Sequence, residues 1–90
     1  MTLKDLHSKL KDLGIPESRY YLHGLYGSSN DEDKFALVMK KSGHILEYET
    51  YYKERGEKHT IRIFLTEDEA CQYLYERLKA DKELEDKYSK

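Results

Sequence analysis

A chain of 90 residues is long enough for one small domain with one core, and a single domain over residues 1–90 is predicted. The composition is 38% charged, but nine tyrosines and two phenylalanines argue against a disordered chain, because aromatic rings bury large areas. The net charge is −2 with acids and bases mixed along the chain, unlike the basic stripe of nucleic-acid binders, so no nucleic-acid partner is predicted.

The same composition predicts a cytoplasmic protein with no membrane partner. Cys71 is the only cysteine and cannot form an internal disulfide, whereas small secreted domains are usually held by several. The first residues carry charges throughout and lack the apolar segment of a signal peptide. No apolar run approaches the roughly 20 residues that span a bilayer.

The N-terminal residues 2–13 are predicted to form an amphipathic helix, with Thr2 as N-cap and Gly14 ending it before Pro16. Its apolar stripe consists of leucines three and four residues apart: Leu3, Leu6, Leu10 and Leu13. Residues 19–23 are predicted to form a short strand at either edge of a sheet. The following residues 24–33 are rich in Gly, Ser, Asn and Asp and are predicted to be a long loop.

The central section is predicted to be a three-stranded antiparallel meander over residues 34–41, 44–53 and 58–65. Turns at Ser42-Gly43 and at residues 54–57 place eight apolar side chains on one face, as strand alternation requires. These residues are Phe35, Leu37, Met39, Leu46, Tyr48, Ile61, Ile63 and Leu65.

The opposite face of this meander mixes acidic, basic and aromatic residues. In the predicted register Glu49 lies opposite Arg62, and Glu47 lies opposite Phe64. Two interpretations remain open at this point. The face is either solvated and carries a cross-strand ion pair worth about 0.5 kcal/mol, or it is a recognition surface with exposed apolar side chains.

The C-terminal section begins with a capping box, Thr66 to Glu69, and is predicted to be helical to about Ala80. Residues 81–90 are predicted to be frayed or a short helical tail. The fold class is therefore α+β: an antiparallel meander of three to four strands with an N-terminal and a C-terminal helix packed on one face.

No catalytic, cofactor or metal site is predicted. The four histidines share no metal-ligand spacing with one another or with Cys71, which is expected to be a packed structural residue. The chain has no phosphate-binding glycine loop and no Gly-x-Ser-x-Gly motif. Glu47 and Glu49 share a face, but on an open strand surface they are expected to remain ionised and not to act as an acid–base pair.

One third of the chain carries a family resemblance. Residues 51–78 contain Tyr-Tyr-Lys-Glu-Arg-Gly, then Phe-Leu-Thr-Glu-Asp-Glu-Ala-Cys-Gln-Tyr-Leu. This segment resembles small immunity proteins of bacterial polymorphic-toxin systems, in which a strand ending in Glu-Arg-Gly precedes a strand and a helix that opens with Glu-Asp-Glu-Ala-Cys. The Glu-Arg-Gly segment is equally well interpreted as a tight turn.

The resemblance implies a non-catalytic antitoxin that binds and neutralises a cognate toxin domain, for example a nuclease, with a basic surface. The alternative is a small protein-interaction or regulatory module without a toxin, as a monomer or a dimer. The candidate partner-binding residues combine acids and aromatics: Glu47, Glu49, Tyr51, Tyr52, Glu54, Arg55 and Tyr26.

Overall fold

The computed structural model describes residues 1–88 and begins with the expected helix, α1 (Leu3–Asp12). The Thr2 hydroxyl accepts from the Asp5 backbone N–H at 3.2 Å, and the Asp5 carboxylate accepts from the Thr2 N–H at 3.0 Å. This reciprocal capping box satisfies two N–H groups that have no partner within the helix. Leu3, Leu6 and Leu10 form its buried side.

The strands form one mixed sheet of five in the order β2-β1-β3-β4-β5. Their bounds are β1 (Tyr20–Leu22), β2 (Tyr26–Gly27), β3 (Lys34–Ser42), β4 (Ile45–Glu54) and β5 (Glu57–Phe64). The predicted α+β class, with both helices on one face, is confirmed. The prediction of an all-antiparallel sheet is wrong in one place, because β1 runs parallel to β3. The expected loop also contributes the short strand β2, which pairs with β1.

The β3–β4 hairpin keeps the predicted faces in a register shifted by two residues. Ser42 pairs with Ile45, so the turn consists of Gly43 and His44, and Met39 pairs with Tyr48. Gly43 has a φ of +63°, a conformation that glycine adopts without steric cost. A shift of two residues preserves side-chain alternation, and for this reason Phe35, Leu37 and Met39 remain on the helix-facing side.

The β4–β5 register corrects the sequence prediction. Near the turn, Lys53 pairs with Lys58 as expected, but the ladder shifts by one residue between Thr50 and Tyr52. Beyond this bulge Arg62 pairs with Thr50, and Ile63 pairs with Glu49. A shift of one residue exchanges the two faces of a strand. Ile61 and Ile63 therefore lie on the bare face, and Arg62 lies on the helix-facing side.

The exchange of faces in β5 has a cause in the backbone and a cause in the packing. Thr60 has a φ of +54°, the left-handed conformation that accommodates the extra residue. On the helix-facing side the Arg62 guanidinium lies 5.4 Å from the centre of the Tyr73 ring, and the Phe64 ring lies 5.4 Å from the same ring. These aromatic and cation–π contacts favour the register in which β5 turns its apolar row outwards.

The second helix, α2 (Glu67–Tyr88), continues well past the predicted end near Ala80. Thr66 is its N-cap, as predicted: the Thr66 hydroxyl accepts from the Glu69 backbone N–H at 3.2 Å and donates to the Glu69 carboxylate at 2.8 Å. The Glu69 carboxylate thus contacts the Thr66 hydroxyl, where the predicted capping box has it accept from the Thr66 backbone N–H. Its last turns are supported by an i,i+4 pair between Lys82 and Asp86 at 2.8 Å. The predicted tail at residues 81–90 is thus helical to Tyr88, and residues 89–90 lie outside the described part.

The core lies between the two helices and one face of the sheet. Its largest fully buried members come from all three parts: Leu6, Leu10, Tyr20, Leu22, Leu37 and Leu74. Ala36 and Tyr51 are also buried but do not belong to this cluster, because they point to the other face. That face, called the bare face below, has no helix packed on it in residues 1–88. It presents the odd-numbered residues of β4 and the even-numbered residues of β3.

Candidate interaction surface

The centre of the bare face is a desolvated carboxylate between two lysines. Glu49 is only 5% exposed although no helix covers it. Its side chain accepts hydrogen bonds from the Lys58 ammonium at 2.9 Å and the Lys40 ammonium at 3.2 Å. Burial by itself raises the pKa of Glu49, but the hydrogen bonds from Lys58 and Lys40 outweigh burial and hold that pKa below its ordinary value. Glu49 is therefore ionised.

A second polar group adjoins the first. Tyr51 is 4% exposed, and its hydroxyl donates to Asp31 at 2.6 Å. The Lys53 ammonium bridges Asp31 at 3.3 Å and Glu32 at 3.1 Å. The Lys58 ammonium lies 4.4 Å from the centre of the Tyr51 ring and so connects the two groups. The side chains of Glu49, Lys40, Lys58, Tyr51, Asp31 and Lys53 are called the polar cluster below.

The titration behaviour of this cluster shows what it can do chemically. The hydrogen bond from Tyr51 is the main reason that the pKa of Asp31 is lowered. Burial, together with Asp31, raises the pKa of Tyr51 far above its ordinary value, so this hydroxyl remains protonated. A protonated phenol and ionised carboxylates held by lysines are poor general bases at neutral pH. The cluster supplies charges in fixed positions.

This face contains neither the thiol of Cys71 nor a group arranged to hold a metal ion among residues 1–88. Cys71 is fully buried in α2, and burial, aided by Glu67, raises the pKa of its thiol to about 12. Residues 1–88 contain no group of three or more His, Cys, Asp or Glu side chains arranged to hold a metal ion. The thiol is thus protonated and inaccessible in the folded chain.

Around the polar cluster, exposed side chains extend towards both ends of β4. Ile45, at the start of β4, is 56% exposed, and Glu47 is half-buried without an ion pair in residues 1–88. At the other end, the Arg55-Gly56 turn joins β4 to β5. Arg55 has a φ of +51°, and its backbone N–H donates to the Asp33 carboxylate at 3.2 Å. That contact holds the exposed turn in one orientation.

The seven predicted contact residues are divided among three places. Glu47 presents accessible surface on the bare face, Arg55 is exposed in the turn after β4, and Glu54 is exposed at the end of β4 with the alternation of the helix-facing side. Glu49 and Tyr51 lie beneath that surface and support it, because they are almost fully buried. The remaining two aromatic residues belong to the helix-facing side and are described next.

Tyr26 and Tyr52 pack towards the helices. The Tyr26 ring stacks on His7 of α1 with 5.0 Å between ring centres. Tyr52 lies edge-on to Phe35 at 4.9 Å. The expectation that Glu49 faces Arg62 is wrong for the reason given above, since the bulge turns Arg62 to the helix side and lysines take its place.

Sequence reasoning missed the residues that neutralise Glu49 and fix Tyr51. Lys40, Lys58 and Asp31 come from two strands and a loop, and only the tertiary pairing brings them together. A usable signal was present in the alternation of β3, since Lys40 shares the face of Ala36 and Val38. The predicted register placed Lys40 beyond reach of Glu49, and the corrected register brings it close.

A cleft of about 350 Å³ also opens on the helix-facing side. Phe35 and Tyr52 form part of its wall, and the salt-bridged pair of Arg19 and Glu85, with 2.7 Å between Nη1 and Oε2, lies at its rim. Its lining contains neither His nor Cys. The cleft therefore combines an aromatic wall with two ion pairs, Arg19–Glu85 and Lys82–Asp86.

Comparisons with known proteins add no relative to this description. No protein-family model, no curated protein and no solved structure matches the chain. Among residues 1–88, no helix has the length and apolar character needed to cross a membrane. The interaction surface is thus described from the geometry of this chain alone.

Proposed function

We propose that this chain is a non-catalytic binding protein that neutralises a cognate bacterial toxin domain, as an immunity protein does. The observation that carries the proposal is the polar cluster: a buried carboxylate and a buried phenol, paired with partly exposed charges, on a sheet face that no helix covers. A solvated face has no need to bury Glu49 and Tyr51. Side chains that are already ordered lose little conformational entropy on binding, which favours a recognition surface.

The accessible residues beside the cluster suit a partner with a basic surface. Glu47 and Glu54 offer carboxylates at opposite ends of β4, and Ile45 supplies an exposed apolar contact. Arg55 is displayed on a turn whose backbone is fixed by Asp33. Protein–protein interfaces of this kind combine apolar anchor residues with charges that determine binding specificity and raise the association rate. The Glu-Arg-Gly segment of the family resemblance lies at this turn.

The test starts from the gene beside the one that encodes this chain. If that gene encodes a large secreted protein with a variable C-terminal domain, the C-terminal domain is expressed in a bacterial host with and without this chain. We expect growth arrest without it, rescue with it, and a 1:1 complex on co-purification. Growth arrest that co-expression does not relieve, with no complex formed, rejects the proposal.

The contact surface is tested with variants that keep the fold. Glu47→Lys reverses a half-exposed charge with no ion pair in residues 1–88, so it preserves the polar cluster. We expect this variant to weaken the complex at least tenfold, while Lys4→Glu, an exposed charge reversal on α1, leaves affinity within about twofold. Equal affinity for Glu47→Lys and the unmodified chain removes the bare face from the interface. Glu49 is unsuitable for this test because its loss disrupts the cluster.

A further inference from the structure

The outer edge of the sheet next to the bare face carries an apolar row. β5 is the last strand in the sheet order, and its backbone has no partner strand on the outer side in residues 1–88. Ile61 and Ile63 are 52% and 47% exposed, and Leu65, directly after the strand, is 67% exposed. Free strand edges of soluble proteins are usually blunted by charges or prolines. Here three apolar side chains follow one another along the same side of an edge.

The chain adopts a strained backbone at the start of this row. Thr60 is a β-branched residue with a φ of +54°, which such residues rarely adopt. The bulge at Thr60 turns Ile61 and Ile63 away from the core. In the unbulged register these isoleucines would lie on the helix-facing side. A feature that is strained and exposes apolar surface persists most readily where that surface is covered by a partner.

We infer that β5 pairs with β5 of a second copy of this chain, antiparallel, and joins the two sheets into one continuous sheet. The two-fold axis passes through Ile63, so that Ile63 faces Ile63 of the partner subunit. Ile61 then faces Leu65 of the partner subunit on the same side. In this register each of the three apolar residues faces an apolar residue of the other copy, and the symmetry gives both copies the same contacts.

Charge and the bulge disfavour the registers with the axis at Arg62, Ile61 or Thr60. A two-fold axis through Arg62 sets two guanidinium groups opposite each other, which is unfavourable for a cross-strand pair. An axis through Ile61 or Thr60 extends the pairing across the bulge of both copies and interrupts the ladder. With the axis at Ile63, Arg62 faces Phe64 of the partner subunit on the helix-facing side. A guanidinium beside an aromatic ring is a favourable contact.

The inferred dimer goes beyond the proposed function and does not depend on it. Ile45 and Glu47 lie on β4, the strand on the inner side of β5, and Arg55 lies in the turn between them. Pairing along the outer side of β5 leaves these three residues accessible. The dimer thus presents two copies of the candidate interaction surface on the same side of one sheet. Failure of toxin binding leaves the oligomeric state to be measured, and failure of dimerisation leaves toxin binding intact.

The first experiment measures mass against concentration. Analytical ultracentrifugation of the purified chain is expected to show a shift from monomer to dimer as concentration rises. Ile63→Lys, at a half-exposed position that the fold tolerates, is expected to remain monomeric at every concentration. Lys4→Glu is the matched control and is expected to dimerise normally. A purely monomeric unmodified chain up to about 1 mM overturns the inference, because that concentration corresponds to only about 4 kcal/mol of association.

The second experiment reads the register through disulfide trapping. Residues directly opposite in an antiparallel pair have Cα atoms roughly 4.5–5.5 Å apart, which a disulfide can span. Ile63→Cys is expected to form a covalent dimer on mild oxidation. Ile61→Cys alone is not, because its symmetry mate lies four residues along the strand, about 13 Å away. Cross-linking of Ile61→Cys with none for Ile63→Cys refutes the register. Cys71 is buried and does not compete.

Discussion

Replacing Glu49 by glutamine tests whether the polar cluster stabilises the bare face. The substitution keeps the size of the side chain and removes its charge. Two ammonium groups, from Lys58 at 2.9 Å and Lys40 at 3.2 Å, then face an amide in place of a carboxylate. One of the two acceptor oxygens becomes an NH₂ donor and cannot accept from a lysine.

The expected loss of stability in Glu49→Gln follows from the exposure of the Glu49, Lys40 and Lys58 side chains. Breaking a fully buried ion pair costs roughly 3–5 kcal/mol, whereas an exposed pair contributes at most about 1 kcal/mol. The Glu49 side chain is 7% exposed, but those of Lys40 and Lys58 are 50% and 36% exposed and regain water when the carboxylate is lost. We therefore expect Glu49→Gln to lower the free energy of unfolding by about 2 kcal/mol, intermediate between those limits.

The assay is urea denaturation at pH 7, supported by a thermal melt. A loss of about 2 kcal/mol in a domain of this size lowers Tm by about 10 °C. Glu47→Gln is the matched control, because Glu47 lies on the same strand face without an ion pair in residues 1–88. It should change stability by less than about 0.5 kcal/mol. Equal stability of Glu49→Gln and the unmodified chain, or an equal loss in Glu47→Gln, refutes the reasoning.

The same variant carries a pH signature. The pKa of Glu49 is lower in the folded chain than in the unfolded one, so its contribution to stability is fully present above the unfolded pKa, about 4.5. The contribution disappears as pH falls through the lower folded pKa. The stability difference between the unmodified chain and Glu49→Gln should therefore shrink below about pH 4. A difference that stays constant down to pH 2 contradicts an ionised Glu49.

Three further predictions concern the backbone and the thiol. Thr60→Gly should raise the free energy of unfolding by about 0.5–1 kcal/mol in urea titrations, because glycine relieves the positive φ at the bulge; a destabilised variant would argue against the bulge. Gly27→Ala should lower the free energy of unfolding by more than about 2 kcal/mol, because the added Cβ would lie 2.5 Å from the Tyr20 carbonyl oxygen. Gly43→Ala is the control: its Cβ meets no atom within 4 Å, and the positive φ alone should cost only about 1 kcal/mol. Cys71 should react with a thiol-specific dye only on unfolding, in proportion to the unfolded fraction, and rapid labelling of the native chain would contradict its burial.

Local signals in the sequence predicted both helices and the strands of the meander. Thr2 and Thr66 are N-caps that act within four residues, so their helices can be located without tertiary information. The β3–β4 hairpin kept its faces although its pairing register is shifted by two residues from the predicted one, because alternation has a period of two. Local chemistry thus determined the two helix starts, the strands of the meander and the faces of one of the two hairpins, but not the short strand β2 or the length of α2.

The tertiary structure decided which face of β5 is buried and how the candidate surface is composed. The sequence by itself favoured a regular ladder with Ile61 and Ile63 in the core, but packing of Arg62 and Phe64 against Tyr73 of α2 favoured the bulged one. The choice between the regular and the bulged ladder depends on contacts between residues about ten positions apart in different elements, so no local pattern reveals it. The sequence therefore determined the α+β elements, and long-range packing determined the polar cluster and the exposed apolar edge.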